Sequence, residues 1–365
     1  RSVKVARKAE KCYHFEIGDT DLGKEKTFIK GSGAYWNGLQ SGLLAGETLL
    51  ADLHTMEVAY LENDKLEQEI TVPVSLKDLD CVAFRKLQAN STCSFAIPMA
   101  FFDMDFPSHY FRRIRSVRME IECGRNENQV VSAELTLNSN SLYTNTSRGS
   151  IENRIGVQSF ATSQAQCKDG KFSFEFGSEK YRPFEGAGCD GSTWAIALPS
   201  QMKRFDYMDI TDVKLYISYT ARSGKTAADV AGEWNAYESQ WGNGSEGLVH
   251  EIQLSRDMPE WFNELKTGEA TQYILTLDQI KSCLPYSTNA SSVAVRAWLL
   301  GDPSVGSIAM QGGGALRSIG ASVKPPDPLI DVGDVSQNVA VYTSSLDRTK
   351  PFELYIQVRY ILGDN

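Results

Sequence analysis

The sequence lacks the residue patterns shared by zinc enzymes and disulfide-stabilised proteins. Its 365 residues include only four histidines and seven cysteines, with no His-Glu-x-x-His and no Cys-x-x-Cys arrangement. The isolated thiols are therefore expected to be buried or incidental rather than metal ligands or disulfide partners. An uninterrupted apolar run of about eighteen residues is also missing, so the sequence predicts no membrane-spanning helix.

Basic residues are in deficit. The chain carries 37 Lys and Arg against 46 Asp and Glu, a net charge of -9 that repels phosphate backbones and disfavours nucleic acid as a partner. In other respects the composition, 42% hydrophobic and 23% charged, is that of a folded globular protein. The length suggests two or three domains.

Catalytic motifs are missing as well. The chain has no G-x-S-x-G nucleophile elbow. Its one Gly-Lys-Thr, at residues 224–226, has Tyr219 where a phosphate-binding loop needs its first glycine. The sequence therefore predicts a protein that is not an enzyme, with no cofactor and no metal.

Paired carboxylates could still serve a glycosidase, which sets two of them across a cleft. Asp103 and Asp105 form one candidate pair, and Asp206 and Asp209 form another. Acidic residues are common in turns, so exposed turns or calcium-loop-like segments are the favoured interpretation. Asp190 lies in a segment similar to a sialidase Asp-box without its serine, and a tight turn leading into a strand explains it.

One basic concentration follows the segment His109–Phe111, and it consists of Arg112, Arg113, Arg115 and Arg118. Basic residues among aromatic ones can bind nucleic acid or phosphate. At strand spacing, arginines can equally pair with acidic neighbours across a sheet or a subunit boundary. The negative net charge favours this structural role.

The first sixty residues are helical in character. Residues 1–17 contain neither Pro nor Gly and already resemble the middle of a helix, so we expect the chain to be part of a longer protein. From Gly42 to Asn63 the pattern is amphipathic, and this helix needs a partner surface. Its apolar stripe consists of Leu49, Leu53, Met56 and Tyr60.

Beyond Asn63 the periodicity changes to two. Pro73 places the strand at 70–74 on a sheet edge, and Ser75–Asp78 resembles a capping box that opens a short helix. In the last strand the polar residues share one face, which predicts a half-buried antiparallel strand. The predicted strands cover residues 70–74, 94–98, 114–122, 130–137, 171–176, 193–198, 213–219 and 352–360.

Turn signals divide the rest. Residues 227–246 are polar and Gly-rich and predict a loop or linker, while 258–265 predict a short helix with Pro259 in its first turn. Loops are also expected at 311–314 and 325–328. The fold class is therefore mainly β with an N-terminal helical part, in which a long amphipathic helix precedes one or two antiparallel β-sandwiches, Ig-like or jelly-roll-like.

Several segments resemble the C-terminal part of Tc toxin A subunits. Asp105–Val117 resembles D-F-P-G-H-Y-x-R-R-I-K-S-V, and Tyr181–Gly188 resembles Y-L-P-F-E-G-A-G. Phe205–Val213 is similar to F-D-Y-x-T-I-S-D-V, Tyr219–Arg222 reads Y-T-A-R, and Gly42–Glu47 fits the end of the channel helix. The matches run in order over nearly the whole chain, with departures such as Ser108 in place of the usual glycine.

This resemblance implies assembly and translocation. Residues 1–66 would be the end of the central-channel helical region, and 67–365 the TcB-binding β-sandwich domain, with a sub-boundary near 225–248. The chain would form a homopentamer, dock the TcB subunit of a TcB–TcC cocoon, and reach the host membrane only through missing upstream segments. It would act in a secreted, extracellular toxin complex made in the cytoplasm, with no signal peptide visible in this segment.

The site residues implied by the resemblance fall into two groups. The apolar stripe Leu49, Leu53, Met56 and Tyr60 would serve helix packing or the oligomer interface. Family motif residues would set sandwich or interface geometry, and charge reversal at Arg112 and Arg113 is expected to disrupt folding or pentamer formation. These motif residues are His109, Tyr110, Arg112, Arg113, Phe184, Glu185, Gly186 and Gly188.

Alternatives from other classes remain open. A stand-alone glycan-binding, lectin-like sandwich would bind glycans as a stable monomer. A sandwich glycosidase comes third and would lose turnover on mutation of Asp103 or Asp190.

Contacts with the TcB subunit are expected from the loops at 227–246 or 311–314.

Overall fold

The structure, a computed structural model, consists of a small helical part followed by two β-sheets. It describes residues 1–18, 27–36, 43–123, 130–144, 151–152, 156–168, 171–175, 182–201, 203, 205–241, 248–285, 288, 291–323 and 329–361. The α-helices are α1 (Ser2–Ile17), α2 (Ser32–Tyr35), α3 (Leu43–Asn63), α4 (Leu76–Leu79), α5 (Cys81–Asn90), α6 (Met99–Asp105), α7 (Ala227–Trp241), α8 (Leu254–Asp257), α9 (Pro259–Thr267) and α10 (Leu277–Ser282).

Seventeen strands make up the described β-structure. Those of the first sheet are β1 (Gln68–Ser75), β2 (Thr92–Ile97), β3 (His109–Cys123), β4 (Val130–Tyr143), β5 (Ile151–Glu152), β6 (Gln158–Lys168), β7 (Lys171–Glu175), β8 (Asp190–Ala197) and β9 (Ile210–Ser223). Those of the second sheet are β10 (Leu248–Gln253), β11 (Gln272–Thr276), β12 (Val293–Gly301), β13 (Gly306–Gln311), β14 (Arg317–Ser322), β15 (Ile330–Val335), β16 (Asn338–Leu346) and β17 (Phe352–Tyr360).

The helical part is a pair of packed helices. α1 ends at Gly18, whose φ of 67° is the left-handed geometry that glycine adopts without strain. A Cβ at this position would meet the Phe111 ring at 2.2 Å, so the close approach of the sheet also requires glycine. The carboxylate of Glu10 accepts hydrogen bonds from the amides of Phe28 and Ile29 at 2.6 and 2.8 Å. These hydrogen bonds hold residues 28–29 against α1, and both residues share one small apolar cluster with α1 and α3.

The first sheet follows the order β1-β9-β3-β7-β6-β4-β8-β2, with β5 paired to β4. All its described pairings are antiparallel. Residues from both ends of this order share one core, in which Trp194 and Phe84 are fully buried beside Ile217. The sheet therefore closes on itself as a sandwich, and β1, with Pro73, is an edge strand as predicted.

The second sheet follows the order β10-β17-β12-β14-β13-β16-β11, with β15 paired to β12. Its described pairs are antiparallel except for the short parallel contact of β12 with β14. Helix α9, predicted at 258–265, begins at Pro259 and buries Trp261 and Phe262 in this core. The mainly β, antiparallel class predicted from the sequence is thus confirmed, with two separate cores following the helical part.

The predicted loop at 227–246 is wrong, because residues 227–241 form helix α7. Thr226 caps it: the Asp229 amide donates to Thr226 Oγ1 at 3.3 Å, and Asp229 Oδ2 accepts from the Thr226 amide at 3.1 Å. This reciprocal cap starts the helix, which contains only Gly232 of the glycines that made 227–246 appear Gly-rich and tolerates it. Residues 242–247 and the predicted loop at 325–328 lie outside the described residues.

Candidate interaction surfaces and buried charge clusters

The motif arginine Arg112 lies at the centre of a buried ion cluster, formed by Arg112, Asp103, Asp190, Lys225 and Glu233. Arg112 is 1% exposed and donates to Asp103 Oδ1 at 2.5 Å and to Asp190 Oδ1 at 3.0 Å. Lys225 Nζ lies 3.3 Å from the same Asp103 oxygen and 2.7 Å from Glu233 Oε2. The cluster therefore ties α6, β3, β8 and α7 together through charge.

Burial and pairing act against each other in this cluster. Burial raises the pKa of Asp190, and the neighbouring Arg112 guanidinium opposes that rise. Burial likewise disfavours the Arg112 cation, yet Asp190 and Asp103 hold the pKa of Arg112 above its usual value. The predicted exposed turn at Asp103 is wrong, because Asp103 is buried on α6 as a counterion. The tight turn predicted at Asp190 is displaced: the turn lies at 183–186, and Asp190 is the first residue of β8 and fully buried.

A second group, the helix anchor, joins α1 to the first sheet and consists of Phe111, Arg113, Arg222, Glu16 and Glu67. Arg222 donates to the backbone carbonyls of Ile17 and Glu16 at 2.7 and 2.8 Å, where α1 leaves its last acceptors without partners. Its guanidinium lies 4.0 Å from the centre of the Phe111 ring. Arg113 pairs with Glu67 and Glu16 at 2.9 Å each.

Within this chain the arginine concentration thus pairs with acidic residues of neighbouring elements, and its role at a subunit boundary stays a prediction. Arg115 pairs with Glu69 on the neighbouring strand at 2.6 Å, and Arg118 lies 3.5 Å from Glu120. Both are partly exposed, so these pairs contribute far less to stability than the buried ones. The remaining motif residues of β3 also have structural contacts: His109 shares a hydrogen bond with Gln68 at 2.8 Å.

The motif at 184–188 forms backbone hydrogen bonds with β3, at the point where the pairing of β3 with β9 shifts register. The Ile114 amide donates to Ala187 O at 2.7 Å, and the Gly186 amide donates to Ile114 O at 2.8 Å. Gly188 passes so close to β4 that an added Cβ would lie 1.9 Å from the backbone oxygen of Ser141. Phe184, with φ of 68°, packs its ring on Trp194, while Glu185 is exposed.

The apolar stripe of α3 faces inward, toward α1. Leu49 is buried there, Leu53 and Met56 are half-buried against the same cluster, and Tyr60 contacts the Tyr13 ring at its rim. Within this chain the four residues thus serve helix packing, and their oligomer role stays a prediction.

A different face of α3 is apolar and exposed. Leu50 and Leu61, about three helical turns apart, are 57% and 71% exposed, and Leu44 and Val58 are also mostly exposed. The apolar periodicity of the sequence indicates the stripe at 49, 53, 56 and 60 alone and gives no signal for this second face. Exposed apolar patches of this kind mark sites of association.

The junction between the two sandwiches is centred on Arg85 of α5. Its Nε donates to Glu251 Oε2 at 2.8 Å and its Nη2 contacts Glu251 Oε1, which makes a bidentate pair. The guanidinium lies over the stacked rings of Trp298 and Tyr355, 4.9 and 4.6 Å from their centres. Beside it, Gln357 Nε2 donates to Cys81 Sγ at 3.3 Å.

The described cysteines are free thiols, as expected. Cys81, Cys93, Cys123 and Cys189 are buried, Cys283 is half-buried and Cys12 is exposed. Burial raises the pKa of Cys81 and that of Cys93 to about 12 each, which leaves both thiols protonated and unreactive at neutral pH. The side chain of Cys167 lies outside the described residues.

Two structural features bear on function, metal-ion sites and membrane-spanning helices. Among the described residues, no group of three His, Cys, Asp or Glu side chains is arranged to hold a metal ion. The helices described are all too short or too polar to cross a bilayer. What the geometry offers instead is rigid joints and exposed apolar surface.

Comparisons with known proteins identify the family of this chain. Residues 1–221 match the family described as the Tc toxin complex TcA C-terminal TcB-binding domain. Toxin subunit YenA2 of Yersinia entomophaga is 30% identical over 245 residues, which cover 62% of this chain and 17% of the length of YenA2. The chain thus spans a small part of that relative, and the second sheet lies beyond the family match.

Two solved structures are similar at lower identity. The cryo-EM structure of Yersinia pseudotuberculosis TcaA-TcaB has 22% identity and a TM-score of 0.42, over 60% of this chain and 13% of that one. The cryo-EM structure of Morganella morganii TcdA4 has 23% identity and a TM-score of 0.39, over 59% of this chain and 10% of that one.

Proposed function

This chain belongs to the family of Tc toxin complex TcA C-terminal TcB-binding domains, and on that premise we propose that it docks a TcB subunit and catalyses no reaction. The observation that carries the proposal is that the motif arginines contact other residues of this chain. The motif arginines are consumed in joints between elements of this chain, such as Arg112 with Asp103 and Arg113 with Glu67. Such joints make a rigid platform, which suits docking because little ordering cost remains on binding.

The docking surface is proposed to lie within residues 1–221, the range that the family match covers. Helix α7 and the turn at 311–314, the segments first expected to contact TcB, both lie outside it. The division into residues 1–66, 67 to about 225, and a C-terminal sandwich follows the three apolar clusters and is part of this proposal. As in a toxin assembly, the site of action would be extracellular.

Docking is tested with a purified TcB–TcC complex from the same source, immobilised for biolayer interferometry. The expected result is saturable binding of the folded chain. A chain unfolded by heat and cooled is the control for non-specific adhesion. Equal signals from the two samples would contradict the proposal.

Self-association into a homopentamer that contributes to a translocation channel is the second part of the proposal. Its support is the exposed apolar face of α3, where Leu50 and Leu61 contact nothing else in the described chain that would cover them. Identical copies can bury such a face around a symmetry axis.

The double substitution Leu50→Lys/Leu61→Lys is expected to abolish this association while leaving the thermal midpoint within a few degrees of wild type. Charged residues at the centre of an apolar contact must be desolvated on assembly, whereas at an exposed position they cost the monomer little. Light scattering coupled to size exclusion measures the outcome. The matched control is Val157→Lys/Val323→Lys, which changes two equally exposed residues away from α3. If both doubles or neither of them change the mass, the α3 face is not the interface.

A further inference from the structure

A cavity of about 430 Å³ lies where the two sandwiches meet. One wall comes from the first sandwich, with Lys77, Arg85 and Asp209, and the other from the second, with Leu300 and Glu353. Its volume lies in the range of pockets for small organic molecules, which often form between domains. Neither docking nor self-association, as proposed above, makes use of it.

Lys77 gives the cavity a positive charge that no described residue pairs directly, although Glu251 and Asp257 act on it from nearby. Its side chain is 5% exposed, and among the described residues its ammonium forms no hydrogen bond and no ion pair. The nearby Arg85 and Arg256 are already paired, with Glu251 and Asp257. Burial, followed by the charge of Arg256, lowers the pKa of Lys77. A buried ammonium in this state is costly unless an anion joins it.

Glu353 gives the opposite wall an unmatched negative charge. Its Oε2 is buried and has no hydrogen-bond partner in the part of the chain that the structure describes. Lys77 and Glu353 line the same cavity, yet they do not reach ion-pair distance of each other. Asp209 also lines the Lys77 wall, but it is exposed to solvent, whereas Lys77 and Glu353 Oε2 are buried on opposite walls.

We propose that this cavity binds a small zwitterion of the amino-acid class, with its carboxylate on Lys77 and its ammonium on Glu353. A simple anion would satisfy Lys77 alone, and a simple cation would satisfy Glu353 alone. A molecule that carries both charges satisfies both walls and adds two charge-assisted hydrogen bonds. Because each wall belongs to a different sandwich, the bound molecule would also hold the two sandwiches together.

Isothermal titration of the full chain with glycine, L-glutamate and L-lysine tests the proposal, with acetate and methylammonium as probes that carry one charge each. At least one amino acid is expected to bind saturably, about tenfold or more tighter than either single-charge probe. Lys77→Met and Glu353→Gln should each weaken that binding about tenfold or more. The controls Lys86→Met and Glu260→Gln change exposed residues outside the cavity and should leave it unchanged.

Misfolding is separated from loss of binding by the thermal midpoint of the ligand-free chain. Lys77→Met is expected to keep or raise this midpoint, because the substitution removes a buried charge that has no partner. Three results would overturn the proposal. They are no saturable binding by any of the three amino acids, wild-type affinity in the Lys77 and Glu353 variants, and acetate binding as tightly as the best amino acid.

Discussion

Arg112→Met is expected to destabilise the first sandwich by about 3–5 kcal/mol at neutral pH. The substitution leaves Asp103 and Asp190 buried without their shared counterion, in a region where neither carboxylate can be hydrated. Since folded domains are stable by only about 5–15 kcal/mol, much of the chain should be unfolded at moderate temperature. Chemical denaturation followed by tryptophan fluorescence measures the loss, because Trp194 lies in this core.

The matched control is Arg115→Met, three residues further along the same strand. Arg115 pairs with Glu69 at the surface, where solvent screens the charges, so its loss should cost less than about 1 kcal/mol. Similar losses of stability for the two variants would show that the buried cluster stabilises the fold no more than the surface pair does.

The pH dependence of the Arg112→Met deficit has a definite sign. Burial already raises the pKa of Asp190, and without Arg112 only the charge of Lys225 still opposes that rise. A carboxyl whose pKa is raised in the folded state loses stability as the pH rises through its unfolded value, and regains it as the pH falls through its folded value. The difference between wild type and variant should therefore be larger at about pH 8 than at about pH 5. A deficit that grows on acidification would contradict this assignment.

Arg85→Met is expected to uncouple the two sandwiches. Glu251, 1% exposed, would lose its bidentate partner and remain buried as an isolated charge, at a cost of about 3–5 kcal/mol. Contact with the Trp298 and Tyr355 rings would be weakened as well. Calorimetry should then show two separated transitions in place of one, and proteases should cut more readily between β9 and β10.

The double variant Arg85→Met/Glu251→Met serves as its control. With both charges gone, no ion is left buried, and apolar side chains of similar volume often replace such a pair at little cost. Recovery of a single transition near the wild-type temperature is expected. A single variant that melts like wild type would show that the junction depends on other contacts.

Much of the first sandwich could be predicted from alternation alone. Every second residue is buried along 117–123 of β3 and 213–221 of β9, and the predicted strands at 114–122 and 213–219 lie within the observed limits. Alternation could not show that β17 is covered on both faces. The strand was predicted to be half-buried, but Gln357 and Tyr355 on its second face are buried too, because α5 of the first sandwich packs over them. An alternation of period two indicates which face of a strand packs in the core of its own sandwich. It does not indicate whether a second domain covers the other face.

The candidate sites were less predictable, for a related reason. The sequence motif contains Arg112 and Arg113, but their partners Asp190, Glu16 and Glu67 come from distant segments. Spacing along the chain contains no information on such pairing. Arg222 could have been found, since it closes the Tyr219–Arg222 motif. Arg85 and Glu251 had no local signal at all.

The proline in β1 bears on how copies of this chain can meet. β1 is the outermost strand of its sheet, and Pro73 removes one amide donor from the row that a further strand would need. Crowding several copies around an axis brings identical borders near one another, a situation that invites fibrous aggregation. An interrupted border discourages that outcome, so in the proposed homopentamer contact between copies would be directed to side chains and the ring could stay closed.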